Sequence, residues 1–295
     1  MSASSQSAPA HSHAVRAGES VGAKQSTHAK QSINNNPSQV EPVLLRAHVD
    51  GVETLTLNRP AQYNALSEAL LGALSDALDQ VGKDSSVRVV VLAANGKAFC
   101  AGHDLKQMRE HDDRAYQHAL FSQCSAIMSK LTRLPQPVIA KVQGMATAAG
   151  CQLVASCDLA VAARDAQFAV SGVRVGLFFS TPAVALSRNV ARKRAMEMLL
   201  TGDFIDAEAA LRYGLINHAV AASALDRASE ELARRIASKP RRVIQIGKRR
   251  FYQQLDQGLD AAYAGATDTM ADNMMLAETI EGIDAFIEKR TPDWS

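Results

Sequence analysis

The chain has 295 residues, of which 47% are apolar and 21% charged, an ordinary globular composition with enough length for one large core or a core plus an appendage. Its 32 Lys and Arg against 30 Asp and Glu leave a formal net charge of +2, which excludes the strong field that draws a protein onto nucleic acid or an anionic membrane. The longest charge-free run, 142–157, is too short and too polar to span a bilayer, so no membrane span is expected.

Residues 1–40 hold almost no large apolar side chain, so they cannot offset the entropy of ordering and are expected to form a disordered tail. An apolar signal region is missing, which argues against secretion. Arg16 is the only Arg there, whereas a mitochondrial transit segment should be Arg-rich, so a cytoplasmic protein is expected, with the mitochondrial matrix as the alternative. After the tail, "VLLRAHVDGVETLTLNRP" reads as two strands about a turn at Asp50-Gly51. Leu66, Leu70, Leu74 and Leu78 then recur at i, i+4 spacing, one face of an amphipathic helix. "VRVVVLAAN" (87–95) is a buried β-branched strand, followed by a glycine turn, a helix over 114–133 and a strand over 137–144. A helix starts near 149, a strand covers 159–165, and from Ala222 to Arg290 the period is helical, broken at Pro240. Repeated strand–strand–helix units ending in helices point to an α/β fold. The expected division is a core over 41–235 and a helical region over 236–295. Cys100, Cys124, Cys151 and Cys157 lack metal-ligand spacing and are expected to be reduced core thiols, with no metal site.

Two stretches carry chemistry. In "MATAAGCQLVASCD" (145–158) a helix begins on Ala148, Ala149 and Gly150, leaving its unpaired N–H groups and positive dipole end uncovered. "KAFCAGHDLKQM" (97–108) places a second Ala-Gly turn after a strand and exposes the N–H of His103. Small residues also suit tight helix–strand packing. Two such turns, however, can converge on one carbonyl oxygen, where each donor lowers a barrier by about 2.7–4 kcal/mol.

These stretches, with "LTLNRPAQYNAL" (55–66), "PVIAKVQGMATAAGCQLVASCDLAVAARDAQFA", "EMLLTGDFIDAEAALRYGLIN" (197–217) and "EGIDAFIEKRTPDW" (281–294), resemble the crotonase, or enoyl-CoA hydratase/isomerase, superfamily over residues 43–295. The resemblance implies a ClpP-like spiral of ββα units with a C-terminal helical trimerisation region, assembled as trimers or dimers of trimers. It implies an acyl-CoA or enoyl-CoA thioester as ligand, with coenzyme A part of the substrate and no separate cofactor. The thioester carbonyl would lie between the N–H groups of His103 and Ala149, flanked by Ala148 and Gly150. Asp104, Leu105 and Lys106 would run beside the coenzyme A, and a neighbouring subunit's Phe286 and Lys289 would approach its adenine and phosphates. Asn58, Arg59, Pro60 and Asn64 would shape one wall, and Ala61 stands where some relatives carry a Lys.

The two glutamates that share a water in the hydratases of this superfamily match Gln152 and Gly172, so neither acid is present. Each general acid–base group is worth about 10²–10⁴-fold, so hydration by the standard route should be poor. Gln152 keeps the size of the missing acid and can orient a water. His103 is the first candidate to replace the acids, although its ring is expected to face solvent or the coenzyme A. Ser180 and Thr181, ahead of Pro182, sit at a helix start facing the pocket and are expected to cap it. Asp158 reads as structural, and Tyr63 as either lining the pocket or packing. Phe178, Phe179 and Met108 are expected to set the depth for the acyl chain. Three readings remain: a weak hydratase/isomerase-type enzyme, a base-independent acyl-CoA decarboxylase, and an acyl-CoA-binding protein without catalysis.

Overall fold

Asp50 and Gly51, both with positive φ, turn the chain between β1 (Leu44–Val49) and β2 (Val52–Leu57), which pair antiparallel as expected. The computed structural model describes residues 41–294, so the tail expected over 1–40 lies outside the described residues. In β2 alternate residues are buried, including Glu53, whose carboxylate meets Arg46 Nε at 2.7 Å. The first helix, α1 (Glu68–Lys83), buries Leu70, Leu71, Leu74, Leu78 and Val81. It starts later than the leucine spacing suggests. Ser67 caps it by accepting from Leu70 N–H, and Leu66 lies before the helix, where its N–H donates to the Gly102 carbonyl.

Three successive turns of chain then repeat one plan, a strand in a large sheet, a strand in a small sheet and a helical crossover. The first comprises β3 (Val89–Ala94), β4 (Ala98–Cys100), α2 (Leu105–Arg109) and α3 (Arg114–Arg133). The second comprises β5 (Val138–Val142), β6 (Met145–Thr147) and α4 (Ala149–Ser156). The third comprises β7 (Leu159–Ala163), β8 (Gln167–Ala169), a 3-10 turn (Ser171–Val175), α5 (Ser180–Asn189) and α6 (Arg192–Thr201). The chain ends with β9 (Ile205–Asp206), α7 (Ala207–Tyr213), β10 (His218–Val220) and the helices α8 (Leu225–Ala237), α9 (Arg241–Gln254), α10 (Leu259–Met274) and α11 (Ala277–Glu288).

The large sheet has the order β1-β2-β3-β5-β7-β10 and the small one β4-β6-β8-β9. Neighbours from β2 to β10 in the large sheet run parallel, as helical crossovers require. Strand β3 is buried on both faces. Val90 and Leu92 join the main core with α1 and α3, while Val89 and Val91 meet Leu225, Leu232 and Ala233 of α8. The four cysteines are buried and free, and burial pushes the thiols of Cys100, Cys124 and Cys151 up to about 12, inert as expected.

Asp158 is the structural carboxylate that its position suggests. It accepts from Val138 N–H at 2.7 Å, from Lys248 Nζ at 2.6 Å and from Tyr252 O–H at 2.9 Å, joining the starts of β5 and β7 to α9. Lys248 Nζ donates also to the Leu131 and Gln136 carbonyls. Burial alone lowers the ammonium's pKa, and Asp158 opposes that shift. Lys248→Met leaves Asp158 buried without its cation and should cost about 3–5 kcal/mol. Urea denaturation measures this, and adding Asp158→Asn should recover part of the loss.

Candidate functional site

The site is assembled from the turn after β4 and the turn after β6. Asn64, fully buried with φ 54°, holds the first. Its side-chain amide donates to the Asn95 and Ala98 carbonyls, both at 2.8 Å, and its Oδ1 accepts from Arg59 N–H at 2.8 Å. The segment it folds makes a short ladder with the turn: Ala101 N–H to the Tyr63 carbonyl, Leu66 N–H to the Gly102 carbonyl, and Asp104 N–H to the Leu66 carbonyl. Successive peptide groups along an extended segment point in opposite directions. The N–H of His103 therefore faces away from this ladder, and it has no acceptor among the described residues.

The second turn is strained. Ala148 adopts φ 57° and ψ −125° at the cap of α4, a region that costs a non-glycine residue about 1–3 kcal/mol. Its N–H is spent on the Ala169 carbonyl and its carbonyl accepts from Gln152 N–H. Ala149, first in the helix, keeps its N–H without an acceptor among the described residues. The two turns touch. A Cβ on Gly102, which has φ +91°, would lie 2.6 Å from Ala148 Cβ and 3.2 Å from Ala149 N, and a Cβ on Gly150 would lie 2.1 Å from the Cys100 carbonyl oxygen. The small residues thus serve close packing and uncovered amides at once.

Gln152 stands one turn into α4. It is only 4% exposed, and its Oε1 has no hydrogen-bond partner among the described residues. At Gly172 a side chain is excluded, because a Cβ would lie 2.2 Å from the Leu177 carbonyl oxygen and 2.3 Å from Phe179 Cδ1. The space a side chain at 172 would need is therefore taken by the Phe179 ring and the Leu177 carbonyl. Between the two positions, Thr147 Oγ1 and Ser171 Oγ share a hydrogen bond at 3.1 Å. Sequence reading missed this pair and the role of Phe179 against Gly172. Only the immediate neighbourhood of Thr147 to Ala148, and of Ser171 to Gly172, marked the hydroxyls.

The His103 ring departs from expectation. It packs edge-on against Phe121 of α3 with centroids 5.3 Å apart, and its Nδ1 is buried without a partner. Burial pushes the imidazole down to about 4, and the Leu66 carbonyl opposes this only in part. Asp104 is engaged elsewhere. It caps α2 by accepting from the Lys106 and Gln107 N–H groups, and its Oδ2 meets Arg59 Nη2 at 3.1 Å. Burial acts to raise its pKa, but these hydrogen bonds win and hold the carboxyl below its usual range.

Leu105 and Lys106 are exposed on α2 beside the first turn. Ser180 is the first residue of α5 and exposed, and the helix cap is Phe179, with no side-chain bond. The expected Ser180 and Thr181 cap is therefore not formed, because the chain is already helical at Ser180, and Pro182 falls later in the first turn. Tyr63 is exposed at a left-handed position rather than packed. Phe286 is 86% exposed on α11, and exposed Lys289 ends that helix with φ 56°. Neither is drawn to the paired turns by any contact described within one chain. Among the described residues no helix is long and apolar enough to cross a membrane, and no cluster of metal-ligating side chains forms.

A family model described as enoyl-CoA hydratase/isomerase matches residues 48–295. The mitochondrial enoyl-CoA hydratase domain-containing protein 3 of Rattus norvegicus is 46% identical over 246 residues, which cover 83% of this chain and 82% of that protein. The crystal structure of human enoyl coenzyme A hydratase domain-containing protein 3 is similar with a TM-score of 0.83 and 44% identity, covering 85% of this chain and 100% of that one. An enoyl-CoA hydratase structure from Mycobacterium smegmatis gives a TM-score of 0.85 and 57% identity, covering 86% of this chain and 99% of that one. With this extent of match, the crotonase-type spiral and the sequence agree: the chain belongs to the enoyl-CoA hydratase/isomerase family.

Proposed function

We propose that this protein binds an acyl-CoA thioester with its carbonyl oxygen between the N–H groups of His103 and Ala149, and that it is a hydratase/isomerase-type enzyme with little standard hydration. One observation carries the reading: two turns in contact each keep an unspent backbone N–H, while an amide and a phenylalanine ring hold the places of the two acids. A carbonyl oxygen that gains negative charge would be stabilised there with no reorganisation of the fold. A neutral imidazole held near pKa 4 is a weak base at neutral pH, which supports little acid–base help from His103.

Lys106 beside the first turn is the proposed contact for a coenzyme A phosphate. Exposed apolar side chains on the C-terminal helices, among them Leu259, Tyr263 and Phe286, support a homotrimer or dimer of trimers in which a neighbour's Phe286 and Lys289 complete the site. The proposed compartment is the cytoplasm; the name of the Rattus norvegicus relative makes the mitochondrial matrix the alternative.

A panel of coenzyme A, crotonyl-CoA, longer enoyl-CoAs and malonyl-type thioesters, read by melting temperature and product mass, tests the proposal. Thioesters should stabilise the protein more than coenzyme A alone, and crotonyl-CoA should hydrate slowly. No extra stabilisation by any thioester would overturn it. Carbon dioxide loss from a malonyl-type thioester would instead favour the decarboxylase, and binding without product a non-catalytic role. Ala149→Pro removes one donor, and any turnover found should fall about 10²–10³-fold. Gly172→Ala must displace the Leu177 carbonyl or Phe179 and should destabilise by about 1–3 kcal/mol in urea melts. A pH series checks His103. Its folded pKa of about 4 lies below the ordinary 6.5, so the unfolded chain binds more protons between these values and stability falls as pH falls through that window. The loss should be smaller in His103→Phe, and parallel curves would contradict the buried, neutral ring.

A further inference from the structure

Arg59 heads a series of peptide groups that ends at the first of the paired turns. Its half-buried guanidinium is divided between two acceptors: Nη1 donates to the Ala65 carbonyl at 2.5 Å and Nη2 to Asp104 Oδ2 at 3.1 Å. The Ala65 carbonyl, which also accepts from Ser67 N–H, shares a peptide group with the N–H of Leu66. That N–H donates to the Gly102 carbonyl at 2.8 Å. The Gly102 carbonyl in turn shares its peptide group with the N–H of His103, which has no acceptor among the described residues. A trans peptide group is planar, and its C=O and N–H point in opposite directions. A bond accepted on one side of each group therefore fixes where the other side donates.

Charge makes this series more than a brace. A guanidinium keeps its proton in proteins, and hydrogen bonds in series polarise one another by about 10–30% per bond. A cation on the Ala65 oxygen draws electron density through that peptide group and makes Leu66 N–H a stronger donor. The same step repeats through Gly102 to His103. The second turn has its own source of positive potential, because Ala149 opens α4 and stands at the positive end of its dipole. His103 lies before the Asp104 cap of α2, outside any helix. We propose that Arg59 is a positioning residue for the His103 N–H, which it aims and strengthens as a donor through two intervening peptide groups. The inference rests on the thioester reading above and adds to it a cation that never touches the substrate.

Isotope-edited infrared spectroscopy of butyryl-CoA, labelled with carbon-13 at its carbonyl and bound to the full chain, tests this. The carbonyl stretch reports how strongly the oxygen is polarised, and in the parent it should lie below that of free butyryl-CoA. Arg59→Met removes the charge at similar length, and should lose about 10–30% of that downshift for each hydrogen bond of the series. Asp104→Asn breaks the ion pair but leaves the cation on the Ala65 carbonyl, so the downshift should persist. An ion pair that only braced the turn would lose its effect whichever partner were changed. An undiminished downshift in Arg59→Met, or equal losses in the two variants, would overturn the inference. If Arg59→Met does not fold, as judged by its melting curve, Arg59→Gln offers an uncharged donor to Ala65 in its place. A downshift lost in Asp104→Asn overturns the inference by itself. A bound carbonyl at the free frequency in the parent would instead overturn the thioester reading.

Discussion

The close approach of Gly102 to Ala148 and Ala149 is the constraint on which the candidate site depends. Two backbone segments from successive turns of the spiral can lie this near only if residue 102 carries no side chain, and that nearness brings the turn that holds His103 N–H against the turn that holds Ala149 N–H. Neighbouring peptide groups are committed elsewhere: Asp104 and Leu66 to the ladder, Ala148 to β8. The positive φ of Ala148 is the local cost, sustained by the packing of a helix buried on every face.

Around this centre the polar groups divide into two kinds. Asn64, Asp104 and Asp158 are saturated, and each ties together segments distant in sequence. Gln152 Oε1 and His103 Nδ1 are buried and unsatisfied. This division separates Asp104, whose carboxylate is engaged by Arg59 and the start of α2, from Gln152, whose Oε1 has no partner among the described residues.

Much of this was legible in the residues themselves. Turn chemistry at Asp50-Gly51, the apolar period in α1 and β-branched runs in β3 are local signals, and local structure followed them. Family resemblance offered His103, Ala149, Gln152 and Gly172 as candidates, and the uncovered amide at Ala149 follows from its place at a helix start. Tertiary contact governed what was not legible. The leucine spacing ran one residue too far because Leu66 pairs with Gly102, an alliance across the chain. The His103 ring faces Phe121 because α3 passes beside it, and the cap at Ser180 fails because the helix starts earlier than its polar residues suggest. No period or motif encodes that Phe179 folds back over Gly172.

That last feature bears on how such a site changes over generations. A glutamate at position 172 has nowhere to go while Phe179 and the Leu177 carbonyl stand in its way. The aromatic neighbour must shrink and the loop must shift before the acid can be tolerated, and neither earlier step confers any new chemistry. Such an ordering acts as a ratchet against retracing the route to a paired carboxylate.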